Sequence, residues 1–551
     1  MANRNPARLA ACLLLAGLSL LPQQPAASAP LSEKSLDLGA PAGYELMLLP
    51  EDGLYPGEKA SFILLPPPDA DLNETEFTAS RRLDGEPVLL GAATFGGHGI
   101  GRSQRATLRW VWNTAGLSAG KFVLYFQLAP EGPAWSQVFT LRRPETQPPA
   151  QRDAAWEMLQ TDCCILYYMT GTAGHRDLED MADTADAQAE SVSARMGVDF
   201  AEPVTVVLLP RTLGHGGFAT SEIYVSYLDR NYAGSDFSIV LHHEMVHILD
   251  LRLGGELRPS MLVEGLATYL TGGHFKAEPL LPRAAALPEL GWYVPLRRLT
   301  DNFYFEQHEV GYLQAAALIE YMVERWGYDA FDAFYRDIHP VPEGSQSDAL
   351  DAALQEHFAL TLDDLEVDFM ARLAAEEVTA ANREDVRLMV MLFDTVRRYQ
   401  QVGDPNAYFL SAWLLSIEDM QTEDITADYA RHPNSLENQA LEALLAAAED
   451  ALRLGNTARA EELLAAVNVV LAALESGKQP TAAMAADPLA ADALAVVQAL
   501  HAQGYEIQSL VFEAGRAWAH ATQPRTSPLP ALVMVELVRE GDGWAVVSAN
   551  R

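Results

Sequence analysis

Residues 237–250 read FSIVLHHEMVHILD, and this stretch constrains the chain more than any other. Ile239, Val240, Leu241, Val246, Ile248 and Leu249 make it too apolar for a surface helix, yet it carries His243, Glu244 and His247. A buried helix with two histidines and a glutamate needs something to offset their desolvation, and a metal ion does so. Residues four apart share one helical face. Both imidazoles can therefore reach a single Zn²⁺ at about 2.0–2.1 Å. Glu244 then projects beside the open coordination position, where it can take a proton from water. With 13 His in 551 residues, an H-E-x-x-H arises by chance about 0.02 times in such a chain. The bland alternative, a helix showing two solvated histidines, fits the apolar flanks poorly.

A tetrahedral catalytic zinc takes a third protein ligand and keeps one place for water. Pro259-Ser260 is a helix-start signal, and MLVEGLATYL follows it. Glu264 is the acidic residue on that apolar stretch and the best third ligand. Asp250 competes, but one turn after His247 it is badly placed to complete the same tetrahedron. A role behind the ligands, or as a cap, suits it better.

His243–His247 followed by Val263-Glu264-Gly265-Leu266-Ala267-Thr268-Tyr269 resembles the gluzincin branch of the zinc metallopeptidases, in particular the bacterial peptidase MA-like proteins. The resemblance spans about residues 155–375. Gly217-Phe218-Ala219 with Ile223-Tyr224-Val225 resembles the family's glycine turn and the edge strand that holds an extended substrate. YLQAAALIEYMVERWG, from Tyr312 to Gly327, resembles its tyrosine-bearing helix, and Leu360–Leu373 its closing helix. The resemblance implies a zincin-like fold and one zinc per chain, held by His243, His247 and Glu264. It implies Glu244 as general base and Tyr312 as oxyanion donor, with Tyr304, His308 or Tyr269 as alternatives.

The implied reaction is hydrolysis of a peptide or protein substrate. Zinc acidifies water, Glu244 accepts its proton, and the same glutamate delivers a proton to the leaving amine. Zinc and a tyrosine hold the oxyanion. The metzincin pattern fails, since Asp250 stands where its glycine belongs and Leu253 where its third histidine belongs. A second reading, from another class, is a non-catalytic cell-surface or secreted binding protein built on a zincin fold. The intact glutamate and ligand set favour the enzyme.

At 551 residues the chain expects three or four domains. Its 38 Lys+Arg against 75 Asp+Glu give a net charge of −37, which repels phosphate backbones and excludes nucleic acid as a partner. A hydrophobic content of 49% excludes a disordered chain. Three cysteines exclude a disulfide scaffold, and the adjacent Cys163 and Cys164 read as an unbonded buried pair. Arg4 and Arg8 precede the apolar run Leu9–Leu21, and Ala26, Ala27, Ser28 and Ala29 follow it. Residues 1–29 therefore read as a signal peptide, and the mature chain as exported (secreted, periplasmic or cell-surface) with no membrane span. Leu9-Ala10-Ala11-Cys12 precedes the apolar run where a lipidation box would end it. The sequence carries no signal for an oligomeric state.

The expected architecture is multidomain. Residues 30–145 read as an immunoglobulin-like β-sandwich, from the runs Phe62–Leu65, Ala106–Trp112 and Lys121–Leu128. Residues 150–375 form the α+β zincin-like domain, with strands at Cys164–Met169, Val204–Leu209 and Glu222–Leu228. Its helices are expected at about 176–196, 238–251, 260–271, 309–326 and 347–373. Residues 380–475 read as all-helical, with Gly455 turning a helical hairpin. Residues 486–551 read as a small α+β domain: a helix at about 487–502, β-type runs at 507–519, 531–538 and 544–547, and a hairpin turn at Gly541-Asp542-Gly543. Gly116-Leu117-Ser118-Ala119-Gly120 matches a nucleophile elbow only in letters, because a β-type run follows where a helix must. Asp69–Asn73 starts like a calcium loop, but Glu74 occupies the glycine position. Asn73-Glu74-Thr75 is a glycosylation sequon. His98, His175 and His215 sit near glycines and read as solvated loop residues.

Overall fold

The computed structural model describes residues 37–550 apart from 71, 73, 235, 524–528, 530 and 542. The expected signal peptide at 1–29 lies outside the described residues, as do Asp71, Asn73 and Asp542. The chain is a multidomain protein of mixed α/β structure, with several antiparallel sheets and many helices. Among the described residues no helix is long and apolar enough to cross a membrane.

Two sheets pack face to face near the N-terminus. One runs in the order Asp37–Leu38, Ala134–Leu141, Gly120–Ala129, Glu76–Leu83, Glu86–Thr94; the other runs Glu45–Leu49, Lys59–Leu65, Ser103–Asn113, Gly96–His98. Alternate residues point inward, so Phe62, Phe77, Leu108, Trp112, Phe126 and Trp135 meet in one apolar core. The three runs read from the sequence fall in three of these strands. Glu86–Thr94 carried no such signal because it is an edge strand exposed along most of its length. Gly116, with φ 76°, sits in the turn before Gly120–Ala129, so no nucleophile elbow forms there.

The central sheet has five strands, ordered Trp156–Gln160, Cys164–Met169, Val204–Leu209, Ile223–Ser226, Gly217–Ala219. The middle three are parallel, and the two outer strands are antiparallel to their neighbours. Parallel strands are covered on both faces, and Val204–Leu209 obeys this by alternation. Val204, Val206 and Leu208 join the core under the helices, while Val207 and Leu209 meet Ala407, Trp413 and Tyr429 on the other side.

Cys163 and Cys164 are joined by a disulfide, which corrects the expectation of an unbonded pair. Cys163 lies in the turn before its strand, its N–H held by Asp186 Oδ1 at 2.8 Å. That turn brings the two sulfurs together, whereas a regular strand would send them to opposite faces.

Helices follow the strands. The motif helix, Phe237–Leu253, starts after Asp236, whose carboxylate accepts from Ser238 N–H, and stops at Gly254 (φ 85°). The companion helix, Ser260–Thr271, ends in a left-handed Gly272. The two pack against each other, the motif helix also against Leu178–Met196 and the companion helix against the back helix His308–Trp326. The single helix expected at 347–373 is two, Gln346–Phe358 and Leu362–Ala374. Ala359 turns left-handed there, and Thr361 opens a capping box with Asp364.

The roof helix Ala380–Gly403 leads to Leu436–Arg453 and Thr457–Glu475, a hairpin turned at Gly455, and then to Pro488–Ala502. A four-stranded antiparallel sheet closes the described chain: Glu506–Glu513, Arg516–Thr522, Val533–Glu540, Gly543–Asn550. The run read at 507–519 is therefore a hairpin, turned at Ala514-Gly515. Helices and sheet share one apolar core, in which Leu392, Leu444, Leu464 and Val497 meet Ala519 and Leu537. Farther in, fully buried Arg211 donates to Glu51 (2.9 Å), to Asp404 (2.7 Å) and to the Asp428 carbonyl (3.3 Å). It ties the N-terminal sandwich and the segment after the roof helix to the central sheet.

Candidate metal centre

His243 and His247 stand one turn apart on the motif helix, their rings at 83° to each other. Their Nε2 atoms are 3.0 Å apart, and each lies 3.2 Å from Glu264 Oε2 on the companion helix. Ligand atoms at about 2.05 Å around a tetrahedral zinc lie about 3.3 Å from one another. The three donors thus form a triangle of the size one face of such a site requires, and their chemistry, two imidazoles and a carboxylate, suits zinc. Among the described residues this triad is one of two clusters with metal-ligand character; the other contains the disulfide cysteines.

Glu264 is held from both sides. Tyr304 O–H donates to its Oε1 at 2.6 Å. Gly265, the next residue, lets the companion helix touch the back helix: a Cβ there would lie 2.9 Å from the carbonyl carbon and oxygen of Ala315. Burial alone would raise the Glu264 carboxyl, but the two imidazoles outweigh it and hold its pKa well below the carboxylate range. Burial pushes His243 down to about 4, whereas at His247 the carboxylates outweigh burial and raise the ring to about 9. A proton and a metal ion compete for that same His247 lone pair. Both Nδ1 atoms are buried and have no hydrogen-bond partner among the described residues.

Glu244 is buried beside the triad, and burial pushes its carboxyl up to about 8. The strand Gly217–Ala219 crosses directly over it: a Cβ on Gly217 would stand 2.6 Å from Glu244 Oε1 and from Val240 Cγ1. That strand is the last of its sheet, paired with Ile223–Ser226 on one side only. Its other side is available to an extended chain.

All five residues selected from the sequence, His243, Glu244, His247, Glu264 and Tyr312, line one cavity of about 380 Å³. Tyr304 and His308 line it too, and Tyr269 lies outside the lining. Tyr312 is buried and stacks on His274 at 4.2 Å; burial keeps its hydroxyl protonated, with a pKa well above the ordinary value. Asp250 is no part of the triad. It accepts from Arg258 (2.8 Å), Tyr335 (3.0 Å) and Arg336 (2.6 Å), anchoring the end of the motif helix.

Three further histidines gather beside Tyr312. His215, expected in solvent, is buried 4.0 Å from His308 and lines the cavity, because Phe393, Arg397 and Phe409 close over it. His98 is also drawn in, its Nε2 facing the Ala412 carbonyl at 3.3 Å. His175 is half-buried in the turn Ala173–Arg176, where its Nδ1 accepts from Gly171 N–H. Sequence reasoning missed His274, Arg397 and Phe409, which come from separate segments with no shared spacing. Ile100, from the sandwich, also reaches the lining. No family model matches the chain and no curated protein matches it, so side-chain geometry carries the functional reading.

Proposed function

We propose that the chain is an exported zinc metallopeptidase of gluzincin type, its central zincin-like domain set between an N-terminal sandwich and C-terminal accessory segments. The observation that carries this reading is the triangle of two Nε2 atoms and one carboxylate oxygen, with Glu244 beside it under an unpaired edge strand. Zinc held by His243, His247 and Glu264 supplies Lewis acidity to water and to a carbonyl. The chain's own residues do the rest. An extended peptide adds to Gly217–Ala219 through backbone hydrogen bonds. Glu244 accepts the proton of the attacking water and returns it to the leaving nitrogen. Tyr312 donates to the developing oxyanion, and Tyr304 fixes the orientation of Glu264.

The purified protein should carry about one zinc per chain by elemental analysis. Glu244→Gln should keep that zinc and lose about 10²–10⁴-fold in peptide hydrolysis. Retained turnover in that variant would remove the assignment of the base. One observation favours the second reading, a non-catalytic binding protein: ligating imidazoles ordinarily donate their other N–H to an acceptor, and both Nδ1 atoms here lack one among the described residues. No zinc after gentle supplementation would move the reading there.

A further inference from the structure

The cavity end beyond Tyr312 holds donors that hydrolysis does not use. Arg397, on the roof helix, donates from Nε to His215 Nε2 at 3.2 Å, and its Nη2 meets His308 Nδ1 at 3.0 Å. A guanidinium can only donate, so both of those ring nitrogens are acceptors. Burial, reinforced by the cation, keeps both imidazoles neutral. Each ring must then carry its proton on the far nitrogen. Those atoms, His215 Nδ1 and His308 Nε2, are buried and have no partner among the described residues. Arg397 makes its hydrogen bonds to imidazoles alone among the described residues, and burial lowers its pKa, only partly offset by Tyr408, Tyr312 and Asp394. A half-buried cation behind two unused N–H groups is a site built for an anionic oxygen.

Chain direction says which anion. Phe409 stands 5.0 Å from the His215 ring and 5.2 Å from the His308 ring and covers them, whereas Leu251, also in the cavity lining, is exposed. The edge strand runs from Gly217, beside His215, towards Ala219. A segment adding antiparallel, the commoner pairing, presents its C-terminal end to His215.

We infer that His215 and His308, positioned by Arg397, receive the free C-terminal carboxylate of a peptide, so that the enzyme trims short fragments from C-termini. The trimming rests on the metallopeptidase reading; the carboxylate site does not. Hydrolysis adds one water across the peptide bond, its oxygen to the acyl carbon and a proton to the leaving nitrogen. The released fragment keeps the carboxylate that was recognised.

The test is calorimetric titration of the zinc-loaded Glu244→Gln chain with tetra-alanine, with tetra-alanine amide, and with Ala-Ala-Glu-Ala amide. The free acid should bind about 10–100-fold tighter than the amide, the range of charge-assisted hydrogen bonds. Adding Arg397→Gln should bring that ratio to about one, and Arg397→Lys should restore part of it, with unchanged thermal transitions as the check on folding. Equal binding of acid and amide, or a ratio that survives Arg397→Gln, overturns the site. Binding of the glutamyl amide as tight as that of the free acid overturns the C-terminal assignment in favour of a side-chain carboxylate. Wild-type turnover of tetra-alanine separates the two ideas. Selective binding without turnover overturns the peptidase and leaves the carboxylate site; turnover without selective binding does the reverse.

Discussion

Gly265→Ala and Gly311→Ala make the same chemical change on two helices that touch, and they should move stability in opposite directions. Both glycines lie in helix interiors, where alanine is intrinsically better by about 0.5–1 kcal/mol. At Gly311 the new methyl meets Phe303 Cε2 at 3.5 Å and Leu299 Cδ1 at 3.8 Å, ordinary contacts that add packing. At Gly265 it meets the Ala315 carbonyl at 2.9 Å and the Ala315 Cβ at 3.0 Å. Backbone cannot swing aside, so the helices must part by about 0.5 Å to regain van der Waals distance. Overpacking of that kind costs about 1–3 kcal/mol. Set against the helix gain, Gly265→Ala should fall about 1–3 kcal/mol below Gly311→Ala, on the order of 2–10 °C in melting temperature. Differential scanning calorimetry on the two variants measures this directly. Because Glu264 precedes Gly265, the same variant should also hold zinc more weakly in chelator competition, while Gly311→Ala should not. A Gly265→Ala protein that melts at or above Gly311→Ala would refute the packing argument.

Tyr304→Phe removes the hydrogen bond to Glu264 Oε1. It should weaken zinc binding by about 10–100-fold in chelator competition with little change in melting temperature; unchanged affinity would mean that Tyr304 does not orient the ligand. Glu449 is buried away from the metal centre, and burial pushes its carboxyl up to about 8 although Arg453 donates to it at 3.0 Å. Its folded pKa exceeds its unfolded value of about 4.3, so its contribution is full below that pH and is lost as pH rises through about 8. Glu449→Gln should therefore gain on wild type between pH 5 and 8, by on the order of 2 kcal/mol. Parallel melting curves of the two proteins across that range would contradict it.

The two helices bearing the triad were legible because one apolar run carries H-E-x-x-H and the other begins at the start signal Pro259-Ser260; the cap at Asp236 came only with the structure. Val204–Leu209 was legible as a buried run of β-branched residues. Trp156–Gln160 was not, since an outer strand of mixed polarity shows no clean period. The break at Ala359 depends on one left-handed alanine, a conformation that residue type does not announce. The wall of the site was least legible. His215, His274 and His308 are sequentially remote, and only the roof helix, with Arg397 and Phe393, gathers them. That helix belongs by apolar pattern to the segment after the α+β part, yet it sits over the cavity. Pairing between residues so far apart leaves no trace in local spacing.

Arg211 sets a condition on the order in which the molecule is made. Its partners lie 160, 193 and 217 positions away, Glu51 before it and Asp404 and Asp428 after it. A chain emerging from its N-terminus can offer Glu51 early, but the guanidinium has no full set of acceptors until residue 428 has followed. Until then, burying it would strand a charge in an apolar interior, a cost of several kcal/mol. The face of the central sheet that carries Val207 and Leu209 should therefore stay open during synthesis and close only when nearly four-fifths of the chain is present. For a protein read as exported, that delay keeps this face of the sheet open through most of synthesis, and the C-terminal core with Ala519 and Leu537 can close only later still.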